Sequence, residues 1–190
     1  MLVIGLTGTM GAGKDIVREM LEKKFNTSSL RLSDLIDTTP FKKRNVAITR
    51  TMYQNMGDEL RQKYGPFVLA KIASGFMKPT DKIKIIDGIR NPAEADYFKE
   101  KFGEGFKLIA VDAPQQVRFE RLSKRHREND PKTWEEFAAA DEREQGKDQP
   151  EYGQHVRDCI EMADVVIEND GSLEDFKKKI EDVTSQISQA

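Results

Sequence analysis

The sequence predicts an α/β domain: a parallel five-stranded sheet with helices on both faces. Three observations carry this. Short apolar runs alternate with stretches of helical periodicity along the chain; two of those runs end on an acid; and the first leads straight into a glycine-rich turn that opens a helix. Strands separated by helices pair in parallel through right-handed crossovers.

Leu2 to Leu6 is nearly continuous in apolar character, as a strand covered on both faces should be. Val17, Met20, Leu21 and Phe25 then recur at helical spacing, and Ser29 to Leu32 reads as a short second strand. A helix is expected from Val46 to Tyr64, with Met52, Met56 and Leu60 on one stripe, and another from Pro66 to Met77 with proline at its first position. Lys82 to Asp87 is a strand ending on an acid, Pro92 to Lys101 a helix, and Phe106 to Asp112 repeats the strand-ending-on-acid pattern. A helix from Pro114 to about Arg127 follows; Val165 to Ile167 is a last short strand, and Leu173, Phe176, Ile180, Val183 and Ile187 form the stripe of a closing helix. The polar stretch from Glu128 to Gly153 holds few aliphatic residues and is expected to be the mobile segment, an insertion on one domain.

With 190 residues the chain suits a single domain. Its net charge of -2 does not advertise a nucleic-acid polymer, while Arg118, Arg121, Lys124, Arg125 and Arg127 point to a small anionic ligand. No apolar run approaches the roughly 18 residues of a membrane span, and the apolar start reads as a strand, not a leader. A lone cysteine, Cys159, allows no internal disulfide, so a cytoplasmic location and a packing role for the thiol are expected.

Gly8-Thr9-Met10-Gly11-Ala12-Gly13-Lys14 fits the phosphate-binding pattern G-x-x-x-x-G-K between strand and helix. Glycines let backbone N–H groups turn towards phosphate oxygens, the helix start adds a favourable dipole, and Lys14 reaches the β- and γ-phosphates. ATP with Mg²⁺ is the expected cofactor pair. Asp15 stands where Ser or Thr normally meets the metal; its carboxylate is a candidate ligand, or a sign of lost activity. The Gly-Lys-Asp ending resembles that of phosphomevalonate kinases and phage-type deoxynucleoside monophosphate kinases, which favours a kinase over a GTPase or motor ATPase.

Asp87, at the carboxyl end of a buried strand, is placed to order the metal's water shell and makes a second metal candidate. Asp87-Gly88-Ile89-Arg90-Asn91-Pro92 resembles the Asp-Gly-x-Pro-Arg segment of adenylate kinases, and with Glu94 is closer to the Asp-x-Arg-x-x-x-Glu segment of deoxynucleoside monophosphate kinases. The resemblance implies that Arg90 grips an acceptor phosphate, as bidentate guanidinium geometry suits.

About fifty residues separate the second and third strands, more than a crossover helix needs. This excess, about 33–80, is the expected acceptor-binding insertion. Arg50, Gln54, Gly57 and Arg61 share one helix face there, suited to a phosphate, a base edge and close approach of a ligand, and the string resembles the same phage-type kinases. Ser33 and Asp34 cap a helix or touch the acceptor.

Arg118, Arg121 and Arg125 share a face of the helix that leads into a segment, about 126–153, resembling the lid of adenylate-kinase-like enzymes. The resemblance implies that Arg121 and Arg125 close over the phosphates, stabilise the migrating group and exclude water. Trp134 is expected to anchor the lid helix, and His126 and His155 to lie on the surface. Ala163 to Leu173, like Ile4-Gly5-Leu6-Thr7-Gly8, resembles dephospho-CoA kinases, and the resemblance implies that Asn169 or Gly171 contacts the adenine. Together these segments resemble the P-loop nucleoside monophosphate kinase-like family over nearly the whole chain. They imply γ-phosphate transfer to a nucleotide-like small molecule, a (deoxy)nucleoside monophosphate first and dephospho-CoA second, by a monomer or homodimer acting away from membranes. Lys14, Asp87, Arg121 and Arg125 form the expected catalytic set. A nucleotide-driven switch or ATPase, and a binding-only relative, are the competing classes.

Overall fold

The computed structural model describes residues 1–36, 49–125 and 130–189. Five strands, β1 (Leu2–Gly8), β2 (Ser29–Arg31), β3 (Ile83–Asp87), β4 (Phe106–Asp112) and β5 (Val165–Glu168), form one all-parallel sheet in the order β2-β3-β1-β4-β5. The helices are α1 (Lys14–Phe25), α2 (Arg50–Tyr64), α3 (Val68–Gly75), α4 (Pro92–Phe102), α5 (Gln115–Arg125), α6 (Trp134–Gln145), α7 (Val156–Glu161) and α8 (Leu173–Gln189).

Successive strand residues feed opposite layers, the consequence of a two-residue side-chain repeat. Val3 and Ile86 pack with Leu69, Phe98 and Leu108 on one face. Ile4 and Ile85 pack with Val17, Leu21, Phe176 and Ile180 on the other. Both faces are therefore covered by helices, as the apolar strands require.

Two elements differ from expectation. Helix α3 begins at Val68 rather than Pro66, because Gly65 adopts φ 98° and the Val68 N–H bonds back to its carbonyl at 3.0 Å. The expected mobile segment contains α6, whose Thr133 cap accepts from the Glu136 N–H and whose Phe137, Asp141 and Glu144 are buried. Trp134 and Phe137 pack with Phe119 of α5, so two aromatic rings supply the docking that aliphatic residues do not. Trp134 thus anchors this helix. The first residues of the helix expected from Val46, and His126 and Arg127, lie outside the described residues.

Candidate active site

The phosphate loop joins β1 to α1 at the carboxyl edge of the sheet, where ligands of parallel α/β folds bind. Gly13 has φ 103°, and a Cβ there would lie 2.6 Å from Asn169 Nδ2, so both the backbone and its neighbour exclude a side chain. Thr9 Oγ1 donates to Asp112 at 2.7 Å, and Asn169 Nδ2 donates to the Ala12 carbonyl at 2.8 Å. The ends of β4 and β5 therefore brace the loop from behind.

Asp87 ends β3 in register with Leu6 of β1 and Arg31 of β2. That register brings three cations to one carboxylate: Lys14 Nζ at 3.3 Å from Oδ1, and Arg31 Nε and Arg18 Nε at 3.4 and 3.7 Å from Oδ2. Arg31 also lies 3.5 Å from Asp15, bridging the two carboxylates expected to meet a metal. Asp87 is buried, and its Oδ1 makes no hydrogen bond within the described residues. Two carboxylates beside a phosphate cradle, one with an oxygen that faces Lys14 but accepts no hydrogen bond among the described residues, are a hard-oxygen donor set that fits Mg²⁺. Among the described residues no group of three or more His, Cys, Asp or Glu gathers, so Mg²⁺ here would rely on nucleotide oxygens and water besides these acids.

Two cavities meet at this edge. One, of about 530 Å³, is lined by the phosphate loop, Lys14, Asp15, Asp87, Arg121 and Glu144. The other, of about 410 Å³, is lined by Tyr53, Gln54, Gly57, Arg61, Leu69 and Gln154. Arg31, Arg50, Arg90 and Arg125 line both and form the wall between them. Burial holds the Arg50 guanidinium below the ordinary arginine range; Glu144 and Asp130 pull it up, while Arg90 and Arg125 push it down. Burial thus makes the Arg50 charge costly in the free protein, and an arriving anion would relieve it.

The face of α2 read from spacing is the face the structure buries: Gln54, Gly57 and Arg61 point inward while Met52 remains partly exposed. Gln54 donates to Gln154 at 3.3 Å, and Arg90 approaches the same oxygen at 3.4 Å. Arg61 lines the cavity, but its guanidinium is engaged by Glu94 at 2.9 Å and Asp58 at 3.4 Å rather than left for an acceptor.

Asp34 is exposed and lines neither cavity, whereas Ser33 lines both, because the 3-10 turn Leu32–Leu35 directs them apart. Asn169 is buried between Ala12 and Arg121, which donates to it at 3.1 Å; Gly171 lies exposed in the following turn. Both lie outside the two cavity linings, and Asn169 braces the loop.

Arg118, Arg121 and Arg125 part company. Arg118 is buried, ion-paired with Asp141, and donates to the carbonyls of Ala113 and Met10 at 2.9 and 3.2 Å. Arg121 faces the phosphate-loop cavity, and its buried Nη1 makes no hydrogen bond among the described residues, a donor suited to a phosphate oxygen. Burial lowers its proton affinity. Arg125 lines both cavities and pairs with Asp130, which raises its proton affinity.

Sequence reasoning missed Glu144, Gln154, Asp130 and Arg31. Of these only Arg31 carried a signal: it ends its strand as Asp87 does, at the matching register position. The His155 ring stays outside the site, with Nε2 donating to the Pro150 carbonyl at 2.9 Å and Nδ1 3.4 Å from Asp158, while its backbone N–H donates to the Arg90 carbonyl at 2.7 Å.

Residues 4–151 match the family described as an AAA domain. The chain is 32% identical over 191 residues to a UPF0200 protein of Methanothermobacter thermautotrophicus, covering 100% of this chain and 92% of that one. A UPF0200 protein of Methanocaldococcus jannaschii is 33% identical over 190 residues, covering 98% and 91%. Among solved structures, a gluconokinase from Sinorhizobium meliloti superposes with a TM-score of 0.58 at 13% identity, covering 99% of this chain and 94% of that one. Shikimate kinase from Aquifex aeolicus does so at 0.56 and 16%, covering 99% and 97%. These likenesses establish a P-loop kinase-like fold. Among the described residues no helix is long and apolar enough to cross a membrane. By sequence along its whole length the chain belongs to the UPF0200 family, with an AAA-type nucleotide-binding domain over residues 4–151.

Proposed function

We propose that this protein is an ATP-dependent kinase that transfers the γ-phosphate to a nucleotide-like small molecule, a (deoxy)nucleoside monophosphate in the first place and dephospho-CoA in the second. The observation that carries this reading is the shared wall of Arg50, Arg90 and Arg125 between a phosphate-loop cavity and a second cavity. A switch or ATPase needs only the first. A kinase needs two anions held close, with cations between them.

In this reading the loop amides and Lys14 cradle the donor phosphates, and Arg121 Nη1 supplies a further donor to them. Arg50 and Arg90 take the acceptor's phosphate, and Gln54 and Gln154 offer amides to its polar ring. An acceptor oxygen attacks the γ-phosphorus, a phosphate oxygen directly or a hydroxyl with loss of its proton to water; the bond to the β–γ bridging oxygen breaks, and ADP leaves with those electrons. Catalysis is then chiefly alignment and charge stabilisation. Mg²⁺ held near Asp87 and Asp15 supplies charge neutralisation on the donor phosphates.

The test is ADP release from Mg²⁺-ATP with each (deoxy)nucleoside monophosphate and with dephospho-CoA, against a blank without acceptor. Acceptor-dependent ADP supports the reading and names the substrate. Equal ADP in the blank shows an ATPase, and ATP binding with no ADP anywhere in the panel counts against transfer to these acceptors.

A further inference from the structure

Glu144 of α6 lines the cavity beside the phosphate loop. Its side chain is 3% exposed. Oε2 accepts the Met10 N–H of the phosphate loop at 3.0 Å. Oε1 lies 3.0 Å from Arg90 Nη1 and 3.8 Å from Arg50 Nη1. One carboxylate therefore takes an amide on the donor side and two guanidinium groups on the acceptor side, the partners that phosphoryl oxygens seek.

Contacts other than this carboxylate also hold α6 in place. The helix is fastened by the Arg118–Asp141 ion pair, with Arg118 also on the Met10 carbonyl at 3.2 Å. The Met10 side chain packs with Leu122 and Phe137. A buried charge beside a cradle for anions also opposes any anion entering it.

Building on the kinase reading, we propose that Glu144 is an internal stand-in for substrate phosphate, displaced when substrates bind. Each oxygen faces one substrate: donor phosphate competes for the Met10 amide, acceptor phosphate for Arg90 and Arg50. Each substrate thus releases part of the carboxylate's hold, so each eases the other's entry, a coupling that is reciprocal by linkage. ATP alone meets the carboxylate still held by the arginines, which keeps the γ-phosphate from settling while water is the only acceptor.

The experiment is calorimetric titration of wild type, E144Q and E144D with Mg²⁺-ATP and with inorganic pyrophosphate, alongside thermal melts and acceptor-free ADP release. E144Q keeps the shape and loses the charge, so it should bind both ligands about tenfold or more tightly. Its KM for ATP should fall and its acceptor-free ADP release should rise, a split that a purely structural residue would not give. E144D keeps the charge but is too short to span both partners, so it should show a smaller gain in the same direction. It decides the question if E144Q gives no cooperative melt. Binding that is unchanged or weaker in the folded variants overturns the proposal and leaves the kinase reading standing. Wild-type protein that binds neither ATP nor pyrophosphate overturns both.

Discussion

Arg61 and Glu94 form a buried pair in which two guanidinium nitrogens, Nε and Nη2, each lie 2.9 Å from Oε1. Glu94 Oε2 accepts the Arg90 and Asn91 N–H groups at 2.9 and 3.2 Å, completing the capping box that starts α4. One carboxylate thus ties helix α2 to the loop that presents Arg90.

Breaking such a pair leaves an uncompensated buried charge, which costs about 3–5 kcal/mol. Glu94→Ala should therefore lose stability of that order in denaturant titration and weaken acceptor binding through Arg90. Replacing both partners, Arg61→Met with Glu94→Leu, should cost less than the two single losses added together. A double-mutant cycle checks this; additive losses would show that the pair is not coupled.

Arg90→Ala removes an acceptor-side cation and leaves Lys14 and the loop intact. The acceptor KM should rise about tenfold or more, the equivalent of one charged hydrogen bond. The KM for ATP should fall rather than rise, since Glu144 loses the nearer of its two guanidinium partners. Steady-state kinetics with each substrate varied separately distinguishes this from a general loss of folding.

Asp15→Ser restores the usual hydroxyl at the metal position. Because Asp15 shares Arg31 with Asp87, its removal should disturb both carboxylates. Turnover at saturating ATP should fall and the Mg²⁺ concentration needed for half-maximal rate should rise. A gain in turnover would instead mark Asp15 as a residue of decayed function.

Cys159 is buried, and burial, with the nearby charges of Glu94 and Asp158, pushes its thiol well above the usual range. The folded state therefore holds its proton when the unfolded chain has begun to release it. The contribution is fully present below the ordinary thiol range of about pH 8.5 and is lost above it at up to about 1.4 kcal/mol per pH unit. Cys159→Ala should flatten the stability profile on the alkaline side. Native protein should also resist alkylation by iodoacetamide at pH 8.

What could be read from the sequence is what local rules dictate. Gly8 to Lys14 follows from backbone geometry, Asp87 from its place at a strand end, and the inward face of α2 from spacing alone. Glu144 and Asp141 could not be read in the same way. They lie in a polar stretch, and Met10, the partner of Glu144, is 134 residues away. Burial of a charge leaves no mark in hydropathy; only the fold shows which acid is enclosed. The same holds for Arg61, whose helix face was legible while its partner Glu94 was not. The docked α6 was hidden for a related reason, since Phe137 and Trp134 do work usually shared among many aliphatic residues.

The bracing of the phosphate loop by Asn169 bears on where this protein can be cut. The AAA-type match ends at residue 151, yet β5 begins at Val165 and pairs along β4 from Ile109 to Asp112. A fragment stopping at the end of the match would leave the β4 backbone as a bare sheet edge, a template for pairing with other chains. It would also strip the Ala12 carbonyl and Arg121 of the amide that joins them. The matched stretch marks shared ancestry, while the strand and the Asn169 amide that brace the phosphate loop both lie beyond its end.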